Sequence, residues 1–178
     1  SGGVDVMTDY NWRGFNVSGL SVQPWVEFST HGLNVEVWVS MGSGPYDEFT
    51  QFIPELDLCL SYTTPDIHFT LGVNHYYYFD GPFFAMNRKL GSLGTSQTEL
   101  EINVLIHEDY PFELGAAMMF GGDFYSANGY VVKQNETTAK MLFSTYIYLR
   151  YTFEIDDIEI IPEFGFSPNA SMYTYYDP

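Results

Sequence analysis

The chain has 178 residues and a formal net charge of −17, from six Lys and Arg against 23 Asp and Glu. Such a surface repels a phosphate backbone, which excludes nucleic acid as an expected partner, and it attracts cations. Charged residues are only 16% and aromatic residues 19% of the chain, whereas a soluble domain carries about 25% charge.

Taken in chain order, apolar and polar residues alternate with period two, the mark of strands with one apolar and one polar face. Val4, Val6, Tyr10 and Trp12 alternate with Asp5, Asp9, Asn11 and Arg13. Val22, Val26 and Phe28 alternate with Gln23, Trp25, Glu27 and Ser29. Segment 33–41, LNVEVWVSM, sets Leu33, Val35, Val37, Val39 and Met41 against Asn34, Glu36, Trp38 and Ser40. Leu56, Leu58, Leu60 and Tyr62 alternate with Glu55, Asp57, Cys59 and Ser61, and Ile67, Phe69, Leu71 and Val73 with His68, Thr70, Gly72 and Asn74. Leu100, Ile102, Val104 and Ile106 oppose Glu99, Glu101, Asn103 and His107. Phe112, Leu114, Ala116, Met118 and Phe120 oppose Glu113, Gly115 and Ala117. The last two runs set Met141, Phe143, Ile147, Leu149, Tyr151 and Phe153 against Lys140, Ser144, Tyr146, Tyr148 and Arg150, then Ile158, Ile160, Phe164 and Phe166 against Glu159, Glu163 and Gly165.

No segment holds a helical period over three turns, so the sequence predicts an all-β chain with about nine legible strands. At roughly 9–14 residues they exceed the usual globular length of about 5–6 and suit tilted strands crossing a bilayer. Tight turns at 30–32, 63–66, 108–111 and 154–157 alternate with longer joins at 14–19, 42–50, 80–97 and 121–138, the rhythm of an outer-membrane barrel. The opposite faces mix carboxylates with Trp25, Trp38, Tyr146 and Tyr148, as the lumen of a narrow barrel would. The expectation is therefore one domain, 1–178: an antiparallel up-and-down transmembrane β-barrel of about ten strands, with short turns on one side and long loops on the other. The chain ends SMYTYYDP; either 171–176 is a short closing strand or the closing strand is missing.

The stretch TDYNWRGFNVSGLSVQPWVEFS resembles the opening of the TorF-type porin family, in which a strand of the form (T/S)-(D/R)-Y-x-(F/W)-R-G precedes a short loop, then Q-P and a second strand. The matching residues are Thr8, Asp9, Tyr10, Trp12, Arg13, Gly14, Gln23 and Pro24. The likeness covers about the first third of the chain. It implies a small bacterial outer-membrane barrel, exported and here in mature form, since SGGVDV has no signal-peptide core.

The expected function follows from the inward faces. Asp5, Asp9, Arg13, Glu27, Glu36, Glu55, Asp57, Glu99, Glu101, Lys140, Arg150, Glu159 and Glu163 should line a lumen. Carboxylate rings favour cations in pores, so the partners are the lipid bilayer and small cations or solutes. The competing expectations are a barrel filled by its own side chains, an adhesion module using long loops, and a soluble extracellular β-protein. Arg13 is read as an internal ion pair with neighbouring carboxylates. Cys59 is read as a small buried residue. No cofactor, catalytic or metal site is expected: His68, His75 and His107 lack ligand spacing, and G-x-S-x-G is absent. The aromatic run Tyr76, Tyr77, Tyr78, Phe79, Phe83 and Phe84 is read as an interfacial girdle. Pro24 and Pro54 fit strand ends near the long-loop rim; Pro162 fits no part of this scheme.

Overall fold

The computed structural model describes residues 1–43, 52–66, 68–79, 83, 96–106, 111–125, 140–156 and 158–169. Strands β1 (Gly2–Met7), β4 (Ser21–Thr30), β5 (Leu33–Ser43), β6 (Phe52–Thr63), β7 (Phe69–Tyr77), β8 (Ser96–Leu105), β9 (Phe112–Gly121), β12 (Thr145–Tyr151) and β15 (Glu163–Phe166) form one nine-stranded sheet in that order. Every adjacent pair is antiparallel, so the sheet runs up and down without crossovers. Three two-stranded ribbons complete the described structure: β2 (Tyr10–Trp12) with β3 (Phe15–Ser18), β10 (Phe124–Tyr125) with β11 (Lys140–Met141), and β13 (Phe153–Ile155) with β14 (Ile158–Ile160). The all-β, up-and-down expectation holds. The closed barrel of about ten strands does not appear among the described residues, where β1 and β15 remain as edges. Segment 171–176 lies outside them.

Turn chemistry fixes the registers. His31 and Gly32 have φ of 49° and 83° between the paired Thr30 and Leu33. Positive φ at both central residues is the type I′ turn, whose twist matches that of its strands. A Cβ at Gly32 would run into the Thr63 carbonyl oxygen, so glycine is required there on two counts. The same turn recurs at Arg13 and Gly14, with φ of 48° and 85°, between the paired Trp12 and Phe15. This corrects the long join expected at 14–19: it is a tight turn followed by β3.

Pro162 also finds its explanation. The ribbon β13–β14 continues the register of β12–β15, and the ladder lapses only between them. Pro162 sits in that lapse on the edge strand: its carbonyl still accepts from the Tyr151 amide at 3.2 Å, but the return bond of that pair is lost with its missing N–H. Pro24 has a similar effect: the β4–β5 pairing skips Gln23 and Pro24 and resumes at Trp25.

The two faces are inverted relative to a soluble protein. The buried apolar side chains among those described are Tyr76, Ala117, Met119, Tyr146 and Tyr148, and the other buried residues are polar or glycine, with Glu55, Asp57, Gln97 and Glu99 among them. The exposed set includes Val6 at 67% and Phe164 at 74%, together with Val26, Phe28, Leu60, Leu71, Ile102, Leu114 and Leu149. On the inner face, large rings lie over small residues. A Cβ at Gly115 would overlap the Tyr148 ring, and one at Gly165 the Tyr146 ring. Gly115→Val should therefore displace Tyr148 and destabilise the sheet by about 1–3 kcal/mol, as overpacking does. Unfolding in urea checks this; an unchanged midpoint would mean that Tyr148 does not need the space.

Candidate functional site

The inner face is organised by the N-terminal hairpin. Met7 and Ser21 end the β1–β4 pairing, and Tyr10 and Ser18 resume it in the ribbon β2–β3. The ribbon folds over the inner face instead of extending the sheet. Tyr10 meets Trp38 of β5 at 5.3 Å between rings, and Trp12 meets Tyr76 of β7 at 5.5 Å. Tyr10 and Trp12 were expected on the outer face with Val4 and Val6; the bend at Thr8 and Asp9 turns them inward, which period-two counting cannot register.

At the tip, Arg13 reaches β8. Its guanidinium grips the Glu99 carboxylate with two bonds, Nη2 donating to Oε1 at 2.8 Å and Nη1 to Oε2. The fork geometry of arginine makes such bidentate pairs strong. The guanidinium also lies 4.5 Å from the Trp12 ring centroid and 5.0 Å from that of Tyr146 on β12. Strands β5 and β12 are five positions apart in the sheet, about 24 Å in a flat one. One hairpin touching both requires the sheet to curl around it.

Glu99 is 0% exposed. Besides Arg13 it accepts from the Tyr76 hydroxyl at 2.9 Å and from Asn74 at 3.4 Å. Asn74 also donates to Glu101 at 3.0 Å, and Tyr148 donates to Glu101 at 2.7 Å. A second cluster centres on Arg150, which donates to Glu163 at 2.8 Å and to Glu113 at 3.1 Å and lies over the Tyr148 ring at 4.5 Å. Tyr146 donates to Glu163 at 2.7 Å. The three tyrosines buried among the described residues thus give their hydroxyls to carboxylates, which supports a polar interior over an apolar one.

The remaining expected lumen residues are distributed as follows. Glu27 and Glu36 face each other across β4 and β5, half-buried. Glu55 and Asp57 are buried on β6. Asp5 accepts from the Trp25 indole at 3.1 Å, and Asp9 accepts from Asn16 at 3.4 Å. Glu159 lies outside the nine-stranded sheet, exposed on β14 opposite Glu154. Lys140 pairs with Tyr125 in β11, and its side chain is outside the described part. Glu113 was missed as a candidate, although its parity with Gly115 and Ala117 places it inward.

The aromatic run after β7 divides by parity. Tyr76 points inward to Glu99, and Tyr78 hydrogen-bonds Glu55. Tyr77, Phe79 and Phe83 cluster together, with ring centroids 4.8 Å and 5.1 Å from Tyr77. The girdle reading therefore loses Tyr76 and Tyr78; Phe84 lies outside the described residues. His75 has both ring nitrogens engaged, by Thr98 at 2.9 Å and by the Phe83 carbonyl at 2.7 Å. His107 lies outside the described residues, and no group of three or more metal-ligating His, Cys, Asp or Glu occurs among those described. Comparison with protein-family models, with curated proteins and with solved structures gives no match.

Proposed function

We propose that the chain is an integral β-barrel protein of the bacterial outer membrane with a narrow, acidic lumen that favours cations. The carrying observation is the inversion of its faces: charged and hydrogen-bonding groups are buried on one side of the sheet, and large apolar side chains are exposed on the other. In water an exposed apolar surface of that extent would be covered by association; in lipid it is the solvated face. A soluble extracellular β-protein would carry the opposite arrangement.

The aromatic clusters support the same reading. Tyr77, Phe79 and Phe83 sit at the long-join end of the sheet, and Phe112, Tyr151 and Phe153 at the short-turn end, with ring centroids 4.5 Å and 4.4 Å from Tyr151. Tyr77 pairs with Ser96, and Phe112 bonds Ile106. Ten residues of strand lie between those levels, about 34 Å along the strand axis. At a strand tilt of roughly 35–45° this projects to about 24–28 Å, close to the apolar band of about 25 Å between the aromatic girdles of outer-membrane barrels. The likeness of the first hairpin to the TorF-type porin family points the same way.

The hairpin across the inner face implies a restricted bore, so small ions are the cargo this reading favours. In planar bilayers under a salt gradient, the reversal potential should indicate cation selectivity, and raising the salt should weaken it by screening. Anion selectivity would contradict the acidic lumen. A barrel that needs detergent and migrates heat-modifiably but never conducts would be a plugged, structural one. A monodisperse, detergent-free monomer would remove the membrane reading altogether.

A further inference from the structure

We propose that Glu55 and Asp57, together with Ser40 on the neighbouring strand, bind one hard divalent cation of the calcium type. The site does not depend on what covers the outer face, because all three side chains point to the inner one.

Glu55 is 3% exposed, Asp57 8% and Ser40 1%. Glu55 and Asp57 alternate on one face of β6, and Ser40 pairs directly with Glu55 across the β5–β6 ladder. Such directly opposed residues hold their Cβ atoms about 4.5–5.5 Å apart. One oxygen of each group, Glu55 Oε2, Asp57 Oδ1 and Ser40 Oγ, is buried without a hydrogen-bond partner. Native proteins rarely leave one buried oxygen unmatched, and each such group calls for an explanation such as a bound ion. Six such oxygens occur among the described residues, and three of them, those of Ser40, Glu55 and Asp57, belong to neighbouring positions of one ladder.

Their chemistry selects the ligand. Among the described residues the charged groups facing Asp57 include Glu55, Glu36 and Glu99, all of its own sign. The Arg13 guanidinium, which also lies on the inner face, is bonded twice to Glu99. Two buried carboxylates without a cation are costly, and one divalent ion balances the pair. A serine hydroxyl buried beside them, and bonded to neither, suits a ligand better than a donor. Oxygens that each lie about 2.3–2.6 Å from a calcium ion need not hydrogen-bond one another. Tyr78, which hydrogen-bonds Glu55, and Tyr10, whose charged neighbours include Glu55 and Asp57, border the cluster. The set is all oxygen, which suits a hard cation over a soft one.

The test uses the full chain refolded in detergent micelles. Calcium uptake is measured by equilibrium dialysis, and the thermal midpoint in CaCl2 is compared with that in chelator. The wild type should bind one calcium per chain saturably and melt higher with it. The double variant Glu55→Gln/Asp57→Asn should lose both responses, and in chelator it should melt no lower than the wild type. Ser40→Ala should weaken binding about tenfold, and Glu27→Gln should leave it unchanged. The single variant Asp57→Asn serves as a second measure should the double variant not fold. Absence of saturable uptake by the wild type would overturn the site. So would equal binding by wild type and the Asp57→Asn variant, or loss of binding in Glu27→Gln.

Discussion

Replacing Arg13 by alanine should detach the N-terminal hairpin from the inner face and open whatever bore the sheet encloses. The variant would take the guanidinium from Glu99, fully buried, whose other described hydrogen bonds include those from Tyr76 and Asn74. Removing one partner of a buried ion pair costs about 3–5 kcal/mol. The described contacts of the hairpin with the inner face run through Tyr10, Trp12 and Arg13, so a loss of that size should undock it. Iodide should then quench Trp12 more strongly, and single-channel conductance should rise. Arg13→Lys should give an intermediate result, since lysine keeps the charge but neither the two-pronged grip nor the stacking on Trp12. Combining Arg13→Ala with Glu99→Gln should restore much of the stability while leaving the bore open, because no charge is stranded. Wild-type quenching and conductance in Arg13→Ala would show that the hairpin is held by something other than this ion pair.

The second large effect belongs to the outer face. Val37 lies midway along β5 with its side chain on the apolar side, and Asn34 lies on the opposite face near the His31–Gly32 turn. Val37→Arg should reduce the stability of the inserted protein by about 2–4 kcal/mol, the cost of a guanidinium near the bilayer midplane. Asn34→Arg should cost far less, because it places a cation beside Glu27 and Glu36. Folding titrations in liposomes measure both. Equal costs on the two faces, or improved behaviour of Val37→Arg in detergent-free buffer, would favour water over lipid at that surface.

Most of the sheet could be read from residue order alone. The alternation in 33–41 and 99–106 identifies which side of each strand is apolar, and the His31–Gly32 pair marks a hairpin whose register then follows. Neighbour relations follow as well, since short turns force consecutive strands together. Three features escaped for distinct physical reasons. The inward fold of Tyr10 and Trp12 depends on a bend at Thr8 and Asp9 and on partners as distant in sequence as Tyr76. The pairing of Arg13 with Glu99 joins residues 86 positions apart, and no local pattern distinguishes Glu99 from Glu101 as the partner. The placement of Tyr76 and Tyr78 was legible from parity but was obscured by reading a dense aromatic run as one unit. Pro162 shows the reverse case, a residue that breaks the alternation rule because the ladder itself lapses there.

The odd number of strands in the main sheet has a consequence for its rims. With nine strands alternating in direction, the first and the last point the same way. Direct joining of β1 to β15 would therefore create the one parallel seam in an otherwise antiparallel wall, with slanted bonds that are slightly weaker per residue. A single further segment laid between them in the reverse direction would match both rims at once. Each rim otherwise presents a row of unpaired amides and carbonyls, which in lipid cost several kcal/mol apiece. Between these two rims of the described sheet, polarity thus admits an odd number of additional strands and disfavours an even number or none.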